Sequence, residues 1–449
     1  MPDRRSTESL SAADASNVIL DAADQVNVFL MAGILGPGGF VDADGGADLE
    51  RLRDVIGERL ADPSLPGLRR FGQRVGGTPR RPVWETCPPD LARQVRQTEP
   101  VTGTDGLSAV CAVLMTTPLP ADRPLWELLI VPGAAGAGTG IILRIHHAVA
   151  DGVAGVRLAQ LLFDPSPDPQ PADRPVAAPR PDRPRPSRWR QLLVGLSRLS
   201  AMFSVRLGQT ALLGPISHRR GIAFGDVPLE ALAGGARAVG GTVNDALLAA
   251  VAAGVAGTLR AAGEQVPAEL PASIPVALPD RGTSGNAVGV MVVPLPLAEA
   301  DVAARVARIA GTTKVAKAEA RALGTYELTR SAWGTRIFAF LAKRQRFVAL
   351  FVTNVRGPAQ LLSLAGAPLE RAWPVTPIQG NVRLGISAMS YGGRLECVAH
   401  VDAGALDAEV MGVALQEGLE RVCALAPSTP TAPDLESGSV QRNPSPATL

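Results

Sequence analysis

The sequence predicts an α+β protein of two domains, and three observations carry that prediction. Strand-like and helix-like segments occur together without the regular βαβ alternation of a doubly wound sheet. A proline-rich stretch at residues 165–187, "PSPDPQPADRPVAAPRPDRPRPS", divides the chain. Prolines lack a backbone N–H and fix φ, so this stretch can neither pair into a sheet nor continue a helix. Finally, 449 residues of which 46% are apolar supply enough material for two cores.

In chain order, residues 1–16 are polar and are expected to be disordered. The N-terminal domain, 17–164, holds a helical period in "ADLERLRDVIGERLADP". It also holds two apolar runs, "LWELLIV" and "GIILRIHH", joined by the glycine-rich "PGAAGAGTG" as a loose hairpin. Helical spacing returns in "VAGVRLAQLLF" before the crossover at 165–187. The C-terminal domain, 188–425, opens with an amphipathic or buried helix over Trp189–Leu213. Next comes a capped, largely buried helix in "TVNDALLAAVAAGVAGTLRAAG". Strands are expected at "ASIPVAL", "GVMVVPLPL", "FVALFVTNV", "LGISAMSY" and "RLECVAHV". The tail, 426–449, has no apolar core and is expected to be disordered.

Composition narrows the function classes. A net charge of +2 argues against a dedicated nucleic-acid binder. Cys87, Cys111, Cys397 and Cys423 lie far apart without a CxxC pair, which reads as reduced, buried or half-buried thiols. The N-terminus has no apolar leader, and the longest weakly polar run, "ALLAAVAAGVAGTL", is too short to span a bilayer. A cytoplasmic chain that can lie on a membrane, but not cross it, fits best.

The chain has four histidines, and two stand side by side in "RIHHAVADGVAG", residues 144–155, where an apolar strand ends. Strand alternation places Ile141, Leu143, Ile145 and His147 on one face and Ile142, Arg144 and His146 on the other. The pair therefore cannot jointly chelate a metal. His147, in line with the apolar face, is a candidate general base, since a partly desolvated neutral imidazole can accept a proton near neutral pH. Asp151 is placed to cap the following helix, and Gly152 to let the backbone turn tightly, folding Asp151 back toward the histidines. The competing explanation is a satisfied core histidine beside an ordinary cap; the full HHxxxDG spacing favours the catalytic one.

"HHAVADG" resembles the HHxxxDG motif of the coenzyme A-dependent acyltransferase superfamily. "RPLWELLIV" (Pro124, Leu125, Trp126) resembles the PLW motif of bacterial wax ester synthase/diacylglycerol acyltransferases, and "GGTVNDALLAAV" (Asn244, Asp245) resembles that family's NDVVLA motif. "SGNAVGVMVVPLPL", "FVTNVRGP" and "MSYGGRLECVAHVD" follow in the same order, although Arg356 stands where the family usually has proline. The resemblance runs from about residue 17 to residue 424.

It implies two chloramphenicol-acetyltransferase-like domains of mixed sheet plus helices, with an active-site tunnel between them. It also implies transfer of a long-chain acyl group from acyl-CoA to diacylglycerol, and to long-chain alcohols as a second acceptor class. Acyl-CoA is then a substrate, and no cofactor or metal is expected. In that frame His147 is the base and Asp151 holds the loop. His146 is a weaker candidate for direct catalysis, while Gly152, Asn244 and Asp245 are candidates for the substrate site, Asp245 chiefly as support for the helix there. Asn244 could polarise the thioester oxygen; read from the residues alone, Asn244 and Asp245 are a helix N-cap signal. Arg219 and Arg220, with Lys343, Arg344 and Arg346, could meet CoA phosphates, against the commoner reading of a solvated basic surface. Arg190, Arg198 and Arg206 on the Trp189–Leu213 stripe suggest a membrane or lipid-body surface, equally well explained as an interdomain helix. Two other readings use the same histidines: a stand-alone condensation-type acyltransferase with a carrier-protein donor or amine acceptor, and a non-catalytic lipid-binding member.

Overall fold

The computed structural model describes residues 7–21, 25–78, 81–136, 138–164, 207–277, 288–323 and 332–426. The crossover at 165–187, the tail from 427 and all of the Trp189–Leu213 stripe before Leu207 lie outside the described residues.

Two six-stranded sheets form the framework. The first has the order β12-β13-β2-β7-β6-β5, with β2 Val28–Leu35, β5 Val95–Gln97, β6 Trp126–Ala135, β7 Gly138–His146, β12 Ser363–Leu364 and β13 Ala367–Val375. The second has the order β10-β9-β11-β14-β15-β8, with β8 Arg220–Pro228, β9 Glu269–Ala277, β10 Val288–Pro296, β11 Leu350–Arg356, β14 Leu384–Tyr391 and β15 Arg394–Asp402. Both sheets are mixed: β5 runs parallel to β6, and β11 runs parallel to both neighbours, β9 and β14. A small third sheet joins β1 (Thr7–Ser9), β4 (Arg81–Thr86) and β3 (Gln73–Thr78). The α+β architecture is as the sequence predicts.

The helices follow local signals. Asp48 accepts from the N–H groups of Glu50 and Arg51 to start α2, Leu49–Ala61. Two helices, α3 (Leu91–Gln94) and α4 (Gly103–Leu114), precede the β6–β7 hairpin, and α5 (Gly152–Leu162) follows it. In the second half come α6 (Leu229–Ala238), α7 (Val243–Ala261), α8 (Val302–Leu323), α9 (Ala332–Ala342) and α10 (Ala408–Cys423). The length and apolar composition of α7 would let it cross a membrane, contrary to the sequence expectation. It is instead a core helix, with 72% of its most apolar window buried inside the protein. Small residues let α10 pack closely on it: a Cβ on Gly418 would lie 2.9 Å from Ala250 Cα.

Three cores result. Ile141, Leu143 and Ile145 of β7 face one with Trp126, Phe71 and the α2 and α5 residues Leu52, Ile56, Leu158 and Leu162. Ile142 faces a second, where Val28 and Leu30 of β2 and Leu107 of α4 meet Ile222 and Val398 of the second sheet. The third lies around α7. Because β7 is covered on both faces, apolar residues fill both sides of its run, and Arg144 within it is buried as an ion pair with Glu127.

Two expectations are corrected. Residues 1–16 are not wholly disordered: Thr7–Ser9 pair with β4, and α1 spans Ala12–Leu20 with Ser11 as its cap. The division at 17–164 and 188–425 is also too simple, because β12 and β13, from the second half of the chain, complete the first sheet beside β2. An antiparallel β2–β13 ladder satisfies a strand edge that the N-terminal half would otherwise leave open.

Candidate active site

His146 ends β7, and His147 begins the turn that leads to α5. Their rings point to opposite faces, as strand alternation requires. His147 lies on the side of Phe29, the register partner of Ile145, with ring centroids 5.2 Å apart and a 59° tilt. Phe29 is pressed in turn onto α5, where a Cβ on Gly155 would come within 2.5 Å of its ring. The His147 ring remains half-buried, and among the described residues nothing hydrogen-bonds to either ring nitrogen. Burial, with the neighbouring His146 adding to it, lowers its pKa to about 4. The imidazole is therefore neutral at physiological pH.

His147's backbone is tightly held. Its N–H donates to Asn27 O at 2.9 Å, and its carbonyl accepts from Asn17 Nδ2 at 3.1 Å. Asn27 also donates to Asn17 O and accepts from Gln379 Nε2 at 2.7 Å. Gln379 lies on the connection between β13 and β14, which Gln25 grips by reciprocal bonds to Gly380. Sequence reasoning missed Asn17, Asn27, Phe29 and Gln379. The available signal was "DQVN", a polar run directly before an apolar strand, with Gln25 and Asn27 buried.

The other motif residues divide clearly. Asp151 is the N-cap of α5, accepting from Ala154 N–H at 2.8 Å, as expected. The carboxylate that meets a histidine is a different one: Asp21, after α1, stands 3.3 Å from His146 Nε2. Gly152 needs no left-handed backbone, contrary to the tight-turn expectation. A Cβ there would sit 3.7 Å from Val355 Cγ1 of β11, so the first turn of α5 faces the second sheet. Asp245 supports its helix, as expected, and is committed to structure. It forms a reciprocal capping box with Thr242 and accepts from Thr313 Oγ1 of α8 at 2.6 Å. Asn244 differs: its Nδ2 is sealed from solvent and has no hydrogen-bond partner among the described residues. No hydrogen bond joins Asn244 to the histidine loop among the described residues.

The basic clusters are mostly engaged locally. Arg346 donates to the Leu207 and Gly208 carbonyls, Arg220 to Ser217 O, and Arg344 lies 4.1 Å over Phe340. Two surface hollows, of about 560 and 720 Å³, lie along α8 and β10 and around Gln209 and Asn381; neither is lined by a histidine. Trp126 of the PLW stretch is a packing residue, stacked on Phe71 with its indole N–H donating to Phe71 O.

Comparison with known proteins places this geometry. Residues 10–205 match the wax ester synthase/diacylglycerol acyltransferase catalytic domain, and residues 284–422 match the C-terminal domain of the same family. The chain belongs to the wax ester synthase/diacylglycerol acyltransferase family. A Mycobacterium tuberculosis (strain ATCC 25618 / H37Rv) relative named for diacylglycerol O-acyltransferase is 28% identical over 64% of this chain and 65% of its own length. A second from the same strain is 27% identical over 84% of this chain and 89% of its own. Among solved structures, the wax ester synthase/diacylglycerol acyltransferase from Marinobacter aquaeolei VT8 superposes with a TM-score of 0.69 at 21% identity, covering 93% of this chain and 99% of that one. Trichothecene 15-O-acetyltransferase from Fusarium sporotrichioides gives 0.64 at 11% identity, covering 94% and 95%. These likenesses bear out the fold that the motifs imply.

Proposed function

We propose that this member of the family transfers a long-chain acyl group from acyl-CoA to the free hydroxyl of diacylglycerol, with His147 as general base. One observation carries the reading: the His147 ring is neutral, half-buried beside Phe29 and without a hydrogen bond among the described residues, on a backbone held from both sides. His147 takes the hydroxyl proton as the oxygen attacks the thioester carbonyl. The C–S bond breaks, and the proton passes to the departing CoA thiolate, giving ester and free thiol.

A base near pKa 4 is weak toward an unperturbed alcohol. The hydroxyl becomes acidic only as its bond to carbon forms, so proton transfer and attack go together. Positioning two substrates against this ring supplies the larger part of the barrier reduction. Asn244 is the donor that the family resemblance offers for the carbonyl oxygen; its amide nitrogen is sealed in this structure, without a partner among the described residues, so it donates only once substrate binding uncovers it. Long-chain alcohols are a second acceptor class. Diacylglycerol partitions into lipid, so the reaction is assigned to the surface of a membrane or lipid body.

The test is CoA-thiol release by the full chain, given long-chain acyl-CoA with either diacylglycerol or hexadecanol. Release dependent on diacylglycerol and abolished in His147→Ala supports the reading. Undiminished release in His147→Ala removes His147 as the base, and no release with either acceptor removes the activity.

A further inference from the structure

His146 faces away from His147 and is only 3% exposed; one ring nitrogen is hydrogen-bonded and the other faces a carboxylate. Ala148 N–H donates to Nδ1 at 3.0 Å. A backbone amide can only donate, so Nδ1 must be unprotonated, and the neutral ring carries its proton on Nε2. That nitrogen lies 3.3 Å from Asp21 Oδ2. The other carboxylate oxygen, Oδ1, accepts from Asn27 N–H at 2.9 Å. Asn27 O, in turn, is the acceptor for His147 N–H. Asp21 thus ties the His146 ring to the backbone that seats His147, and the His146 ring folds the chain at Ala148, the residue after it. The helix before Asp21 adds a second tie through Asn17, and α1 is itself anchored where Ser16 Oγ meets Thr335 Oγ1 of α9 at 2.8 Å.

We infer that Asp21 is a positioning residue for the acyl transfer: facing Nε2 while the Ala148 N–H holds Nδ1, it favours the one tautomer of His146 and the turn that present the His147 ring. The inference rests on His147 being the base. A carboxylate is suited to this task because one oxygen accepts from the Asn27 N–H while the other faces the His146 Nε2 at 3.3 Å. Asparagine at position 21 would keep one acceptor and turn an N–H₂ toward the other partner.

Two measurements on the full chain test this. In ¹⁵N-histidine spectra at neutral pH, four rings are to be assigned. His146 should show the Nε2–H tautomer in the wild type and a mixture or the opposite tautomer in Asp21→Asn. A wild-type His146 with its proton on Nδ1 overturns the inference, whatever the activity does. In turnover, Asp21→Asn should lower kcat by about 10- to 100-fold, with KM for both substrates changed by less than about twofold. In a His146→Ala background the same substitution should add little, because both act on one path. An equal loss in both backgrounds, or full activity of Asp21→Asn beside an inactive His147→Ala, overturns the inference and leaves the base reading intact. A fully active His147→Ala instead removes the base reading, and the tautomer measurement alone then decides whether Asp21 sets the ring of His146.

Discussion

His147, at the end of β7 in the first sheet, and His400, within β15 of the second, are both lowered to a pKa of about 4 by burial. Their surroundings differ. His400 is 1% exposed; its Nδ1 meets Thr376 O at 2.7 Å, and its Nε2 is sealed without a partner among the described residues. His147 is half-buried, with no bond to its ring among the described residues and its backbone clamped. A shifted titration therefore does not separate the proposed base from a structural histidine. Access, a fixed backbone and a ring left free to bond are what distinguish the two.

The largest predicted effect breaks the pair apart. His147→Ala should lower kcat by about 10²–10⁴-fold with the fold intact. His400→Ala should leave turnover close to wild type but destabilise the protein by about 1–3 kcal/mol, because Thr376 O loses its buried partner. Steady-state kinetics beside denaturant unfolding of both variants checks this, and a reversed pattern would exchange the roles assigned to the two histidines.

Acid sharpens the contrast. The ordinary histidine pKa is near 6.5, so as pH falls through that value the unfolded chain binds a proton that native His400 refuses until about pH 4. Stability is therefore lost from about pH 6.5 down to about 4, by about 3 kcal/mol for this one ring, and no further below. His400→Asn should flatten the fall in unfolding free energy over that window. Down to about pH 5 His147 stays largely neutral, so kcat/KM of the folded fraction should lack an acid limb above that pH from this group.

Two glycines of α5 give smaller effects. Gly155→Ala should destabilise by about 1–3 kcal/mol and slow turnover, since the new methyl displaces Phe29 from its place against His147. Gly152→Ala has room beside Val355 and should stay within about 0.5 kcal/mol of wild type. Thermal melts and initial rates compare the two directly.

What was legible in the sequence was local. The facing of Ile141 to His147 followed from period two, the α5 cap from Asp151, and α7 from Thr242 and the apolar run behind it. The strand β13 was not. "APLERAWPV" carries prolines at 368 and 374 and a register shift between Leu369 and Arg371, which together spoil the alternation that marks a strand. Gly33 of β2 records the same shift from the other side, since a Cβ there would lie 2.4 Å from Arg371 O. The Asp21–His146 and Asn17–His147 contacts also escaped, because each joins residues more than a hundred positions apart and no local period encodes them.

The placement of β13 beside β2 has a consequence for biosynthesis. While the ribosome is still making the second half, β2 offers its unpaired backbone to any extended chain nearby. That exposure lasts until residue 367 and those after it have emerged. At ordinary elongation speeds the vulnerable interval is on the order of tens of seconds. Expression should therefore respond to holdase chaperones and to temperature more than the finished fold's stability would suggest. A gene cut at the proline-rich crossover should yield an N-terminal half that aggregates unless the other half is co-produced.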